Sequence, residues 1–157
     1  MTAPSLIEKL HLIPHPEGGY YREMYRSKQY IHYEGQVRTA STAIYYLLCN
    51  QAISKFHRID ADEIWHAYYG SGIRVHILHN NTYSCLEIGQ NLSAGQELQG
   101  VVPAGAWFGA ELIDPDGYAL VGCTVAPAFE FSKFELAQYD HLVKDYPMHQ
   151  ALIKRLT

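Results

Sequence analysis

The chain has 157 residues, with 12 Lys and Arg against 16 Asp and Glu and a formal net charge of −4. That length sets one domain, residues 1–157, with a core large enough to stand without metal or disulfide staples, and the scattered basic residues offer no stripe to a polyanion, which argues against nucleic acid as a partner. No apolar run reaches the ~20 residues of a membrane span, and the start MTAPSLIEKL lacks the basic and apolar blocks of a secretion signal, so no membrane partner and a cytoplasmic location are expected.

Ser5 and Glu8 stand at capping-box spacing at the head of a short first helix, whose apolar stripe is Leu6, Ile7 and Leu10. Pro14, Pro16 and the pair Gly18, Gly19 in HPEGGYYRE end it. From Tyr20 to Thr124 the segments YYREMYRS, TASTAIYYLL, EIWHAYYG, IRVHILHN, TYSCLEIG, QGVVPAGAWFGAEL and YALVGCTVAP read as strands, being short, rich in Tyr, Ile, Val and Thr, and separated by turn residues. Asn80 with Asn81, and the run Asp114 to Gly117, supply hairpin turns, and Gly70 and Gly72 punctuate another. Ser132 and Glu135 have capping-box spacing before a helix in FELAQYDHLV, and Pro147 suits the first turn of a last helix. Many short strands without long intervening helices predict an all-β antiparallel sandwich or jelly roll. Cys49, Cys85 and Cys123, odd in number and set among apolar neighbours, are expected to be reduced, buried thiols.

Two segments carry the chemistry. FHRIDADEIWHAYYG, from Phe56 to Gly70, resembles the first cupin motif, G-x5-H-x-H-x3,4-E-x6-G, with His57, Glu63 and Gly70 on its first histidine, its glutamate and its closing glycine, and Ile59 on its second histidine. VVPAGAWFGAEL resembles the second, with Pro103 and Gly105 in the P-x-G turn, Phe108 where the last metal histidine belongs and Leu112 in place of the asparagine. Of three histidines and one carboxylate, only His57 and Glu63 remain, so no cofactor is expected. A divalent metal, if one binds, would be held by those two and a third ligand such as His76 or His66.

The segments HPEGGYYRE, STAIYYLL, FHRIDADEIWHAYYG, VPAGAWF and GCTVAPAFEFSKFEL, in that order over most of the chain, resemble the cupin-5 family. The resemblance implies a double-stranded β-helix, the cupin jelly roll, with a short N-terminal helix and C-terminal helices. It also implies a homodimer in which part of the N-terminal loop lines the neighbour's pocket, and kinship in fold with the dTDP-sugar 3,5-epimerases and germin-like proteins. Fold kinship does not carry their activities with it.

His57 and Glu63, if both point into the barrel, form an acid–base pair in which the carboxylate orients the imidazole and raises its pKa. The plainer reading is two buried polar groups that satisfy each other. Tyr20 or Tyr21 would return the proton. Alternation puts Glu63, Trp65, Ala67 and Tyr69 on one face of a strand and Ile64, His66 and Tyr68 on the other, while Arg58 is off phase and faces outward. Trp65, Trp107 and Phe108 are expected as aromatic wall or core beside a ligand. In HPEGGYYRE the two glycines would let a ligand approach the backbone, with Glu17 and Arg22 as binding groups; the alternative is that they only turn the chain and Arg22 pairs with a carboxylate. His76 reads as a half-buried sheet histidine or as a substitute ligand, and His11, His15, His32, His141 and His149 receive no role.

The expected function is a small-molecule-binding cupin, acting as a metal-independent isomerase or epimerase on a sugar-like or small hydroxylated or carbonyl metabolite. The alternatives are a ligand-binding or sensing cupin without turnover, and a metal-dependent lyase or dioxygenase.

Overall fold

In the computed structural model, which describes residues 1–157, two antiparallel sheets face each other across an apolar core. The larger sheet has the order β1 (Ile13–Pro14), β2 (Tyr20–Arg26), β5 (Thr42–Cys49), β12 (Tyr118–Ala126), β7 (Asp62–Gly70) and β10 (Gln99–Val102). The smaller has β13 (Glu135–Leu136), β6 (Ser54–Arg58), β11 (Trp107–Leu112), β8 (Ile73–His79) and β9 (Thr82–Ile88). A separate hairpin pairs β3 (Tyr30–Tyr33) with β4 (Gln36–Thr39). The expected all-β jelly roll is therefore present, with α1 (Ala3–Leu10), α2 (Tyr139–Asp145) and α3 (Gln150–Arg155) packed outside it.

Inward-facing side chains of both sheets, among them Tyr46, Trp65, Ile73, Phe108 and Val121, make the main core. Leu6 of α1 packs with Leu12, Leu47 and Leu120 on the outer side of the larger sheet, and Leu142 and Ile153 of the C-terminal helices cover Phe56 and Leu78 on the smaller one. Each burial removes an aliphatic or aromatic side chain from water at roughly 1.5–3 kcal/mol. No helix is long and apolar enough to cross a membrane.

Several local expectations are corrected. The first helix begins earlier, because Thr2 and Ser5 form the reciprocal capping box and Pro4 occupies its first turn. No helix starts at Ser132; Phe131–Lys133 is one 3-10 turn, β13 then pairs with β6, and α2 follows Gln138, which gives no side-chain cap. QGVVPAGAWFGAEL divides at the Pro103–Gly105 turn into strands of opposite sheets. The β3–β4 hairpin lay outside the expected strands; its turn residues Glu34 and Gly35 both have positive φ, 49° and 75°. Asn80 and Asn81 do form the expected tight turn, with φ of 49° and 59°. Cys49 and Cys123 are buried free thiols, but Cys85 is exposed, because β9 is an edge strand.

Three bulges decide which side chains meet. In β2 the register shifts between Glu23 and Tyr25, so Arg26 returns to the inner face with Tyr21 and Glu23. Between Ser54 and His57, β6 has one residue more than the facing part of β11, so two side chains three positions apart both turn inward. In β7 the shift at Tyr68 ends the inward alternation after Ala67 and leaves Tyr69 54% exposed.

Candidate active site

The mouth of the barrel holds a cavity of about 250 Å3. Tyr21, Glu23 and Arg26 of β2 line it opposite Tyr46, Ile44 and Thr42 of β5, their strand partners or neighbours in register. Its polar floor is made by His15, Glu17, His57 and Glu63 with the Cys123 thiol, and Ile13, Val125, Phe129 and Phe131 form apolar walls.

Glu17 joins these groups. Its Oε1 accepts a hydrogen bond from Ser54 Oγ at 2.8 Å, and its Oε2 lies 3.0 Å from His57 Nε2. His57 Nδ1 lies 2.7 Å from the Lys55 carbonyl oxygen. A carbonyl can only accept, so Nδ1 carries a hydrogen. In neutral His57 the bare Nε2 then faces a carboxyl oxygen, and two acceptors at 3.0 Å require a proton between them. Glu17 and His57 therefore share one proton. Burial pushes the His57 pKa down to about 4, with Phe108 and Phe134 packed on the ring at centroid distances of 4.1 and 5.2 Å. Burial likewise raises the Glu17 carboxyl, so both shifts place the shared proton on Glu17.

Glu63 is a separate acid. Burial, and secondarily the charge of Glu17, push its pKa up to about 8, opposed by a hydrogen bond with Cys123. The Cys123 thiol is in turn raised well above its ordinary range by burial and by Glu63.

The expected His57–Glu63 pairing is thus corrected. Both side chains line the cavity, but Glu17 orients His57, and the imidazole pKa falls where a rise was expected. Tyr21 is at the cavity; Tyr20 faces the other side of β2 and packs in the α1 cluster with Leu47. Glu17 is a cavity group as expected, and Arg22 reaches the rim while its Nη1 donates to the Leu10 carbonyl at 3.0 Å. Trp65 and Phe108 are core, each 1% exposed, and touch the site only from behind; the Trp65 Nε1 has no partner. Trp107 lies on the outer face under the Arg58 guanidinium, 4.5 Å from its ring centre, and Arg58 pairs with Glu135. Gly18 and Gly19 face their own chain, where a Cβ would run into the Ile53 and Leu47 carbonyls, so their role is the turn. His11 and His15, given no role by spacing, both line the cavity. His15 was detectable in principle as the residue two before Glu17, but only a turn brings the two together.

The cupin metal positions do not fit an ion. Ile59 and Phe108 are apolar core residues, 5% and 1% exposed, and both His57 nitrogens are already engaged. His66 bonds Thr124 Oγ1 at 3.1 Å, and His76 lies between Tyr83 and Glu111, at 2.9 and 3.0 Å, on the outer side of the smaller sheet. No group of three or more His, Cys, Asp or Glu is arranged to hold a metal. Arg26, at the rim, is held by both Glu23 carboxylate oxygens, at 3.0 and 2.9 Å, and by the Phe129 carbonyl.

The sheets and cavity together define a cupin jelly roll whose interior carries carboxyl–imidazole chemistry where the ion-binding set of the superfamily is broken. The chain belongs to the Cupin_5 family, described as Cupin superfamily (DUF985), which it matches over residues 4–137. It is 33% identical over 143 residues to the uncharacterized protein YML079W of Saccharomyces cerevisiae, covering 80% of this chain and 70% of that protein. Among solved structures, a hypothetical protein from Leishmania major superposes with a TM-score of 0.94 at 35% identity, over 100% of this chain and 99% of that one. A protein from Shewanella oneidensis gives 0.92 at 35% identity, over 100% and 98%. Oxalate decarboxylase from Bacillus subtilis is similar in fold alone, with a TM-score of 0.57 at 14% identity over 92% of this chain and 36% of that one.

Proposed function

We propose that this cupin is a metal-independent isomerase of small hydroxylated carbonyl compounds, with Glu63 as the base and the Glu17–His57 pair as the proton donor. The observation that carries the reading is two carboxyl groups in one cavity with different surroundings, Glu17 at 3.0 Å from the His57 imidazole and Glu63 away from that contact, where burial pushes its pKa up to about 8. Separated carboxyl environments of this kind are how one site holds an acid and a base together.

In its carboxylate form, the minor form below about pH 8, Glu63 takes a proton from the carbon that bears the hydroxyl. The C–H pair becomes the new C=C bond. The carbonyl π pair moves to oxygen, which receives the proton held between Glu17 and His57. Glu63 then returns its proton to the former carbonyl carbon of the enediol, where the C=C pair forms the new C–H bond, while the neighbouring hydroxyl gives its proton back to the Glu17–His57 pair and its O–H pair becomes the new carbonyl π bond. A positioned acid and base of this type contribute typically 10²–10⁴-fold each.

The test is exchange of the carbon-bound proton with solvent. Hydroxyaldehydes and hydroxyketones of three to six carbons are incubated with the protein in D2O and followed by NMR, which reads proton abstraction whether or not product accumulates. Enzyme-dependent deuterium uptake that is lost in Glu63→Gln supports the reading. Saturable binding in a thermal-shift screen without any exchange would decide for a binding cupin instead, because a bound ligand stabilises the native state whether or not it reacts.

A further inference from the structure

His15 has no part in the proton transfers above, yet its side chain is only 6% exposed and lines the same cavity. Its Nδ1 accepts the backbone N–H of Glu17 at 3.2 Å. An amide nitrogen can only donate, so Nδ1 is bare and the neutral ring carries its hydrogen on Nε2. The 3.6 Å approach of Nδ1 to Glu17 Oε2 is then proximity without a proton. Tyr21 and Tyr46 stand edge-on to the ring at centroid distances of 4.5 and 5.9 Å, and Phe131 and Phe134 close it at 6.1 and 6.2 Å, which fixes its plane. No side chain or carbonyl accepts the Nε2–H, while Nδ1 of the same ring and the neighbouring Ser54 and Glu17 side chains are paired. Burial lowers the pKa of the ring and keeps it neutral.

Resting on the reading of this cavity as a ligand site, we propose that His15 is a ligand-binding residue whose Nε2–H donates to the carbonyl oxygen of an uncharged substrate, and that the site selects such carbonyls over carboxylates. The groups around the cavity give the direction of that selectivity. The floor holds no cation, so an anion would lose its hydration there with only neutral donors to offset the loss, and would face the Glu63 carboxylate whenever that group is ionised. The guanidinium groups are at the rim, where Arg26 is neutralised by a two-point contact with Glu23 and Arg22 is tied to the Leu10 carbonyl. A neutral imidazole N–H suits an oxygen on which charge develops, since it strengthens as the oxygen becomes more basic and costs no proton of its own.

The probes are dihydroxyacetone as the neutral hydroxycarbonyl and glycolate and pyruvate as small acids, with binding followed by NMR on 15N-histidine-labelled protein. In the wild type, dihydroxyacetone is expected to bind at least tenfold more tightly than either acid and to shift the His15 Nε2–H resonance. His15→Phe keeps the ring volume without the donor and should weaken that binding on the order of tenfold, the loss of about one hydrogen bond. His15→Gln, which restores an amide N–H, should recover part of it. Equal or tighter binding of the acids, affinity unchanged in His15→Phe, or a wild-type ring protonated on Nδ1 would each overturn the role of His15 while leaving the cavity reading intact. If no neutral probe binds, both fall together. Should His15→Phe fail to fold, the wild-type resonance shift and the acid comparison still decide.

Discussion

Glu17 Oε2 and His57 Nε2 stand 3.0 Å apart with a single proton between them, because the other imidazole nitrogen is committed to the Lys55 carbonyl. Replacing Glu17 by Gln keeps a donor to Nε2 and the contact with Ser54, but removes the transferable proton. Glu17→Gln is therefore expected to melt within about 1 kcal/mol of wild type and to lose exchange activity by about 10²–10³-fold. Glu17→Ala, which strands the imidazole and leaves a void, should cost about 2–4 kcal/mol. Thermal melts beside the D2O assay check both.

Glu63 gives the exchange rate its pH dependence. With the base ionising at about 8, kcat/KM should rise about tenfold per pH unit below that value and level off above it. A pH profile from 6 to 9.5 checks this, and a rate flat across that window would remove Glu63 from the role of base.

The same group ties stability to pH. Its folded pKa lies above its ordinary 4.5, so the stability it contributes is complete below 4.5 and is lost as pH rises through about 8. His57 runs the other way: its folded pKa lies below its ordinary 6.5, so its contribution is present above 6.5 and is lost as pH falls through about 4. Above 6.5 the decline due to the buried carboxyls is unopposed. Glu63→Gln should remove about 2 kcal/mol of the fall between pH 6.5 and 8, leaving the share due to Glu17, whose carboxyl is also raised. Denaturant melts at the two pH values measure the difference.

Ion content tests the broken ligand set. The purified protein is expected to carry well under one equivalent of first-row metal by elemental analysis, and chelator treatment should leave its exchange activity unchanged. A stoichiometric ion whose removal abolished exchange would contradict the mechanism.

Gly18 carries the turn that delivers Glu17. Its φ is +115°, and an added Cβ would strike the Ile53 carbonyl. Gly18→Ala should destabilise the protein by about 2 kcal/mol or more and reduce exchange through misplacement of Glu17, checked by melting the variant and assaying the folded fraction.

The jelly roll was legible because short, β-branched and aromatic runs between turn residues permit little else, and the two cupin motifs fixed where its mouth would be. Glu63 and His57 were legible as cavity groups from those motifs. Their partners were not. A regular strand puts Ser54 and His57 on opposite faces, and only the bulge in β6 brings both to Glu17. Arg26 likewise reaches the cavity only through the bulge in β2. His15 and Cys123 come from segments more than a hundred residues apart, a proximity that periodicity cannot encode. Trp65 and Phe108 took the core side of the wall-or-core expectation and Trp107 the outer face, because alternation assigns a face but not whether that face meets the void or the packed layer behind it.

Ile59 and Phe108 occupy the positions that the cupin motifs give to two histidine donors, and both are sealed in the core. Placing histidine at each would not by itself create an ion site, since an incoming cation would have to compete with Glu17 or the Lys55 carbonyl for the lone pairs of His57. One imidazole cannot serve an ion and a carboxyl at once, so opening this barrel to a cation takes the dismantling of a His57 contact as well as two substitutions.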